Sequence, residues 1–372
     1  MDGILIVYKE PGFTSHDVVA KLRGILRQKK IGHTGTLDPE ATGVLPVCLG
    51  KATKVCGLLT DWNKTYRAEL LLGRTTDTQD MTGKVLRECP VFLADRPDAV
   101  KQERMSAGEA ELAEAGPMYL TEEEIRGCIA GFAGEQQQIP PMYSALKVNG
   151  RKLYELARQG IEVERKPRTI HIDEIRIGQI ARSDLEGAKA MIRVEMTVRC
   201  SKGTYIRTLC HDIGEKLGCG GCMDLLCRTE VGPFALRDTW RLSEIEELRD
   251  ADDLEKCIFS TDCAFTNLDA VWLSADAERL VRNGNPLSAS IMKSFRRVDD
   301  LNERFSDRRS MAYENWMVLA GRAESAALFG DDYSGPPHRS DQLRLYAPNG
   351  EFLAVYGYER ERDRWRAEMM FL

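Results

Sequence analysis

Asp38 stands in a stretch suited to holding a carboxylate still: Gly32-His33-Thr34-Gly35-Thr36-Leu37-Asp38-Pro39-Glu40-Ala41-Thr42-Gly43. Glycines permit tight turns and the close approach of a large ligand. Pro39 restricts the residue before it to extended backbone, which limits the directions open to the Asp38 side chain. Threonine hydroxyls can fix a carboxylate through local hydrogen bonds. The apolar Val44-Leu45-Pro46-Val47 follows and would tie the stretch to a core. A carboxylate presented in this way can act as a nucleophile or a general base from a cavity wall. The same composition also suits a structural turn with an Asx-type cap, the usual fate of Gly/Asp/Pro clusters.

Several elements must position that stretch. Ile4–Val7 is an apolar strand leading into Tyr8-Lys9-Glu10-Pro11-Gly12-Phe13-Thr14-Ser15. Ser15 is expected to cap the next helix, with Asp17 in its first turn. Val18, Leu22, Ile25 and Leu26 share one face of that helix and leave Lys21, Arg23 and Arg27 outside it. Tyr66 opens a strand running through Leu70-Leu71-Leu72-Gly73, where a tyrosine is ordinarily half-buried packing. Thr121-Glu122-Glu123-Glu124 reads as a capping box before a helix that presents Ile125, Ile129 and Phe132 together. Residues 191–200 alternate apolar and polar, which predicts a half-buried strand. Thr204-Tyr205-Ile206-Arg207 then opens a helix with Ile206, Leu209, Cys210, Ile213 and Leu217 buried and Gly218 ending it. Arg207 falls off that buried face and taken alone is an ordinary surface arginine.

The 372 residues suffice for two domains, one of them large. No run approaches a membrane span and the N-terminus lacks signal-peptide character, so a cytoplasmic protein is expected. Eleven cysteines, an odd count scattered through apolar contexts, suit reduced buried thiols better than a disulfide framework. Cys219, Cys222 and Cys227 form one local cluster, and no second CxxC or CxxH answers it, so no metal site is expected. Net charge is −6, but its distribution is uneven. Lys21, Arg23, Arg27, Lys29 and Lys30 lie close together with no acid among them. Residues 138–176 carry eight bases against five acids, whereas 95–114 carry six acids against three bases. An RNA-facing side and an acidic side can therefore coexist.

The order of residues in GHTGTLDPEATGVLP resembles the catalytic motif of the TruB family of tRNA pseudouridine synthases, with Asp38 at the position of the nucleophile. Further blocks are similar in the same order. Lys9, Pro11, Gly12 and Ser15 match a Lys-x-Pro-Gly-x-Thr-Ser block, which places Lys9 among substrate-binding residues. Lys64-Thr65-Tyr66 resembles the motif whose tyrosine stacks on the target base. The stretch from Gly73 to Gly83 is similar to an LGxxTxTxDxxG element, in which Asp80 would contact substrate; a turn-forming Asp is the other reading. Residues 138–158 resemble a PPxYSALKxxGxxLYxxAR block containing Lys147, part of a thumb-like insertion that closes on an RNA stem-loop. CSKGTYIRTL, with Tyr205 as a substrate contact, resembles the motif whose arginine, here Arg207, pairs with the catalytic aspartate. A guanidinium there would keep Asp38 ionised. Cys227–Phe234 resembles an RTxxGxF element lining the base pocket, although packing explains Phe234 equally well. The resemblance covers most of residues 3–236 and weakens beyond.

The resemblance implies an α+β fold. A catalytic domain over residues 1–265 would be built around a central, mainly antiparallel mixed sheet. It would carry a surface insertion at about 88–118 and the thumb at about 136–168. Residues 266–372 would form a small, divergent PUA-like β domain that binds RNA, with 290–342 longer and more polar than such a domain needs. The implied reaction isomerises the T-loop uridine of tRNA, uridine 55, to pseudouridine. Asp38, Tyr66 and Arg207 would be catalytic. His33 is the candidate to stack where the flipped base left, since aromatic rings suit base faces; a loop-structural histidine is the alternative. The chemistry is redox-neutral, so no cofactor is expected, and the partner is the tRNA T-stem-loop, bound by a monomer without an obligatory protein partner. An RNA-binding module and a guide-RNA-dependent enzyme are the competing readings.

Overall fold

A computed structural model describes residues 1–94, 117–183, 190–288, 297–298 and 339–372. The greater part of the expected insertion at 88–118 and of the 290–342 segment lies outside the described residues. The chain forms two compact units, one of residues 1–62 with 230–372 and one of residues 63–229. Residues 266–372 thus share a unit with the N-terminal segment.

In the first unit the apolar run at the N-terminus becomes the strand Gly3–Lys9, buried along its whole length. It pairs antiparallel with Thr42–Leu49, and the short strand Ile31–His33 pairs with the other side of Thr42–Leu49. Helix Ser15–Ile25 covers this sheet with Val18, Val19, Leu22 and Ile25, and Ile245 of helix Leu242–Asp250 joins the same core. Leu26 packs against that core from just past the helix end. The cap is Thr14, not Ser15: Thr14 and Asp17 form a capping box, with the Asp17 backbone N–H donating to Thr14 Oγ1 at 3.1 Å. That hydrogen bonding holds the exposed Asp17 carboxyl below its ordinary range. Ser15 is thereby released for another task.

The C-terminal part of this unit is a six-stranded sheet with helix Ala275–Arg282 against it. Its strands include Arg339–Tyr346 and Phe352–Glu359, joined across Asn349-Gly350, and Arg364–Met370. Leu268–Trp272 runs parallel to Arg339–Tyr346. A buried polar chain ties this sheet to the segment before it. Tyr346 donates to Asp262 at 2.7 Å and Arg344 donates to the Leu268 carbonyl at 2.9 Å. Burial, with the Asp262 carboxylate beside it, pushes the Tyr346 hydroxyl far above its ordinary range.

The second unit holds the strands Gly221–Val231, Lys64–Leu72, Ile192–Cys200, Arg168–Arg182 and Gly134–Gln138 in that spatial order, though Glu230 and Val231 fall in the first unit. Alternation along Ile192–Cys200 is as expected, with Ile192, Val194, Met196, Val198 and Cys200 buried. Helices Glu122–Ala130 and Ile206–Leu217 pack on each other and on this sheet. The capping box at Thr121 and Glu124 is present, with Ile125 and Ile129 buried, while Phe132 lies just past the helix end. On the remaining face the strands carry charge: Arg193 bridges Glu69 at 3.2 Å and Asp224 at 2.7 Å. Within the expected thumb, Lys147–Val148 and Arg151–Lys152 form a hairpin closed by Asn149 (φ 52°) and Gly150 (φ 82°). Two central residues at positive φ are what a tight two-residue hairpin requires. Helix Leu153–Ala157 follows.

Candidate active site

The backbone around Asp38 is held from outside at every turn. Lys9 ends the first strand, and its side chain is 1% exposed. A buried ammonium is tolerable only when its donors are satisfied. Here Lys9 Nζ donates to the carbonyls of Pro39 at 2.7 Å, Ala41 at 2.6 Å and Glu10 at 3.1 Å. Lys9 is therefore a strut inside the loop. The Gly12 N–H donates to Pro39 O at 3.0 Å, and the Leu37 N–H donates to Ser15 Oγ at 3.0 Å. Ala41 N–H closes a turn on Asp38 O at 3.1 Å. Gly43, at φ 107°, returns the chain to the sheet in a conformation that side chains avoid. The Asp38 side chain itself is half-buried.

His33, the last residue of its strand, accepts the Gly35 N–H on Nδ1 at 3.4 Å. Its ring stands edge-to-face with His16, centroids 5.0 Å apart. Phe234, expected to line the base pocket, is 1% exposed and packed between Trp62 at 5.8 Å and Phe259 at 5.3 Å. It is a core residue, since no face of the ring is open to a ligand.

In the second unit Tyr66 pairs with Val198 and shares its sheet face with Ala68 and Leu70, the face that helix Ile206–Leu217 covers. Cys200 pairs with Lys64, so the connection into that helix leaves from the end of the sheet where Tyr66 stands. Tyr66 is 9% exposed. Arg207, which falls off the apolar face of its helix, is buried in the first turn at 4% exposure. Its Nη1 donates to Thr78 O at 2.9 Å and its Nη2 to Tyr143 O at 2.9 Å, while Nε lies 3.8 Å from Asp80 Oδ2. Asp80 Oδ1 in turn accepts from Thr78 Oγ1 at 2.6 Å, Thr82 N at 3.0 Å and Thr82 Oγ1 at 2.6 Å. The Asp80 carboxylate thus organises its own turn and faces the arginine. Gln79, strained at φ 63°, accepts from Thr208 Oγ1 at 2.8 Å. Tyr205 is half-buried, and Lys147 is exposed on its hairpin.

All eleven cysteines are free thiols and nine are buried. Burial pushes the Cys222 thiol up to about 12, far from thiolate chemistry at neutral pH. Among the described residues no group of three or more His, Cys, Asp or Glu side chains could hold a metal ion. No helix among them is long and apolar enough to cross a membrane.

The sequence signal for Thr14 as cap was present: Thr14-x-x-Asp17 has the spacing of a capping box, and reading it would have freed Ser15 for the loop. Nothing local in the sequence marks the partner of Lys9, because that contact spans more than thirty residues.

Comparison with known proteins places this geometry. The family described as "TruB family pseudouridylate synthase (N terminal domain)" matches residues 23–106 and 99–206, and "tRNA pseudouridylate synthase B C-terminal domain" matches 207–266. A relative from Lachnoclostridium phytofermentans, named tRNA pseudouridine synthase B, is 42% identical over 374 residues and covers 100% of both chains. One of the same name from Heliobacterium mobile is 48% identical over 66% of this chain and 70% of its own. Among solved structures, one titled as an H/ACA RNP bound to a substrate RNA containing 2'-deoxyuridine has a TM-score of 0.59 at 23% identity, covering 100% of this chain and 85% of that one. A Cbf5-Nop10-Gar1 complex gives a TM-score of 0.60 at 24% identity, with the same coverage. These structural likenesses establish the pseudouridine synthase fold, in accord with the expected α+β class. By the family matches and the full-length relative, the chain belongs to the TruB family of pseudouridylate synthases.

Proposed function

We propose that this pseudouridine synthase acts on the T-loop uridine of tRNA, uridine 55, with Asp38 as the reacting carboxylate. The observation that carries the reading is the Asp38 loop itself, whose flanking carbonyls and N–H groups are fixed by Lys9, Ser15 and Gly12. Rigid presentation of a reacting group is what positions it against a bound nucleoside. The substrate class follows the name shared by the relatives, tRNA pseudouridine synthase B.

In this reading Asp38 attacks or deprotonates the target nucleoside and the N1–C1′ bond breaks, leaving its electrons on uracil. The base turns within the pocket and C5 bonds to C1′, a step that frees the Asp38 carboxylate or returns the proton it took. C5 loses its proton and N1 gains one, so the product is an isomer and neither oxidant nor cofactor enters. Tyr66 stacks on the base and relays the C5 proton, and Arg207 pairs with Asp38. A T-loop uridine must leave its stack to react, and His33 fills the space it vacates. Tyr205 and Lys147 contact the RNA. Residues 1–265 act as the catalytic domain with the 136–168 thumb, and 266–372 as a PUA-like RNA-binding domain, in a cytoplasmic monomer that needs no partner protein.

The test is to incubate the purified protein alone with an unmodified tRNA transcript and map pseudouridine by carbodiimide labelling and primer extension. A single stop at the T-loop uridine is expected. Stops elsewhere, or none, would overturn the assignment of substrate.

A further inference from the structure

Helix Ile206–Leu217 begins without the residue that ordinarily closes a helix start. The first N–H groups of a helix lack intrahelical partners, and Ser, Thr, Asp or Asn at the cap supplies one. Thr14, Thr121 and Ser274 follow that rule at their helices, whereas helices Cys56–Asp61, Leu153–Ala157 and Leu242–Asp250 also start without a side-chain cap bond. At this helix the cap position is Tyr205, in extended backbone, and no side-chain cap hydrogen bond forms. A local rule broken beside a candidate site signals that the position serves another purpose.

The compensation comes from a distant strand end. Gln138, the last residue of Gly134–Gln138, is 4% exposed. Its Oε1 accepts the Tyr205 N–H at 2.8 Å, and its Nε2 donates to Tyr205 O at 3.0 Å. One carboxamide thus pairs with both main-chain groups of Tyr205, as a neighbouring strand would. Tyr205 O also accepts the helical N–H of Leu209 at 3.0 Å, so the same contact orders the first turn that carries Arg207. The segment that starts at Gln138 returns once more: the Tyr143 carbonyl receives Arg207 Nη2 at 2.9 Å.

We propose that Gln138 is a positioning residue for the reaction: its carboxamide stands in for the missing helix cap and sets Tyr205 and the Arg207 turn for the substrate. The inference rests on the reading of Tyr205 and Arg207 as groups of the active site. Apolar replacement at Gln138 takes the carboxamide acceptor from the Tyr205 N–H and one donor from its carbonyl, which keeps the Leu209 N–H, and lets the Tyr205 ring drift.

The test uses the full chain and a T-arm RNA, with kcat, KM and RNA affinity measured for wild type, Gln138→Met, Tyr205→Ala and the double variant. Methionine matches the length of glutamine without its hydrogen bonds. Gln138→Met is expected to lower kcat about ten- to a hundredfold, the scale of a misplaced site group, with KM and RNA affinity close to wild type. In the Tyr205→Ala background the same change should cost less, because the ring it positions is gone while the Arg207 turn is still held through the main chain. Should Gln138→Met fail to fold, Gln138→Glu, which keeps the acceptor for the Tyr205 N–H, takes its place with the same expectations. An unaltered kcat, or losses that simply multiply in the double variant, would overturn the role of Gln138. Full activity of Tyr205→Ala would instead overturn the reading of Tyr205, a separate failure.

Discussion

The chemistry of this chain depends on where single polar groups are held. Lys9 is the plainest case, a buried ammonium that donates to the carbonyls of Pro39, Ala41 and Glu10. Lys9→Met should remove the donors for Pro39 O and Ala41 O. The expected cost is about 1–3 kcal/mol for buried acceptors left unmade, read as a lower urea midpoint, together with a fall in activity. Stability and turnover equal to wild type would show that the loop does not rest on this strut. Arg207 makes a complementary prediction. Its two Nη groups donate in different directions, to Thr78 O and Tyr143 O, while Nε faces Asp80. A lysine offers a point charge and cannot reproduce that planar fork. Arg207→Lys should therefore lose most of its turnover, and near-normal kcat would refute the placement of Arg207 in the site. Sequence order at this scale gives recognisable blocks around Asp38, Tyr66 and Arg207. What it does not give is which way the side chains within those blocks turn. Lys9, Asp80 and Phe234 match the blocks equally well, yet their side chains turn inward to carbonyls, to a turn, and to Trp62 and Phe259. Such distinctions depend on long-range partners, which local patterns do not encode.

At the scale of elements, periodicity was a reliable guide wherever one face is buried and the other is not. The alternation at 192–200 and the apolar stripe of Ser15–Ile25 appear as expected, because burial dictates both. Element ends were less legible: the cap fell at Thr14, and Phe132 lies beyond its helix. The buried face of helix Ile206–Leu217 was legible at Ile206, Leu209, Cys210 and Ile213, but its close approach to a strand was not. Gly214, in mid-helix, sits so close to the strand beginning at Gly221 that an added Cβ would lie 2.1 Å from Gly221 N. Alanine favours a helix over glycine, but backbone cannot move aside as a side chain tip can. Gly214→Ala should therefore destabilise by about 1–3 kcal/mol, seen as a lower urea midpoint with an unchanged m-value. A neutral or stabilising outcome would mean that helix and strand can separate freely.

At the scale of the molecule, an acidic chain can present a polyanion with local surpluses of base, here in residues 21–30 and 138–176. Phosphate contacts of this kind position RNA without reading its sequence. The C-terminal sheet is tied to the segment that precedes it. Phe265 packs against Phe352 and Phe371, both at 5.9 Å, and Asp262 accepts from Tyr346. Ending the chain at residue 265 would uncover Phe265 and leave the Asp262 carboxylate without the tyrosine donor. The truncated protein should melt several degrees below the full chain. Equal melting temperatures would show the C-terminal sheet to be energetically independent.

The central claim is that Asp38 performs pseudouridine chemistry on a T-loop uridine. The most direct measurement is tritium release from T-loop RNA carrying [5-³H]uridine, with wild type and Asp38→Asn side by side and no added metal or protein. The account predicts release by wild type alone, with Asp38→Asn binding the RNA about as tightly, because shape and phosphate contacts survive the substitution. Release by both proteins, or by neither while both bind the RNA, would contradict it.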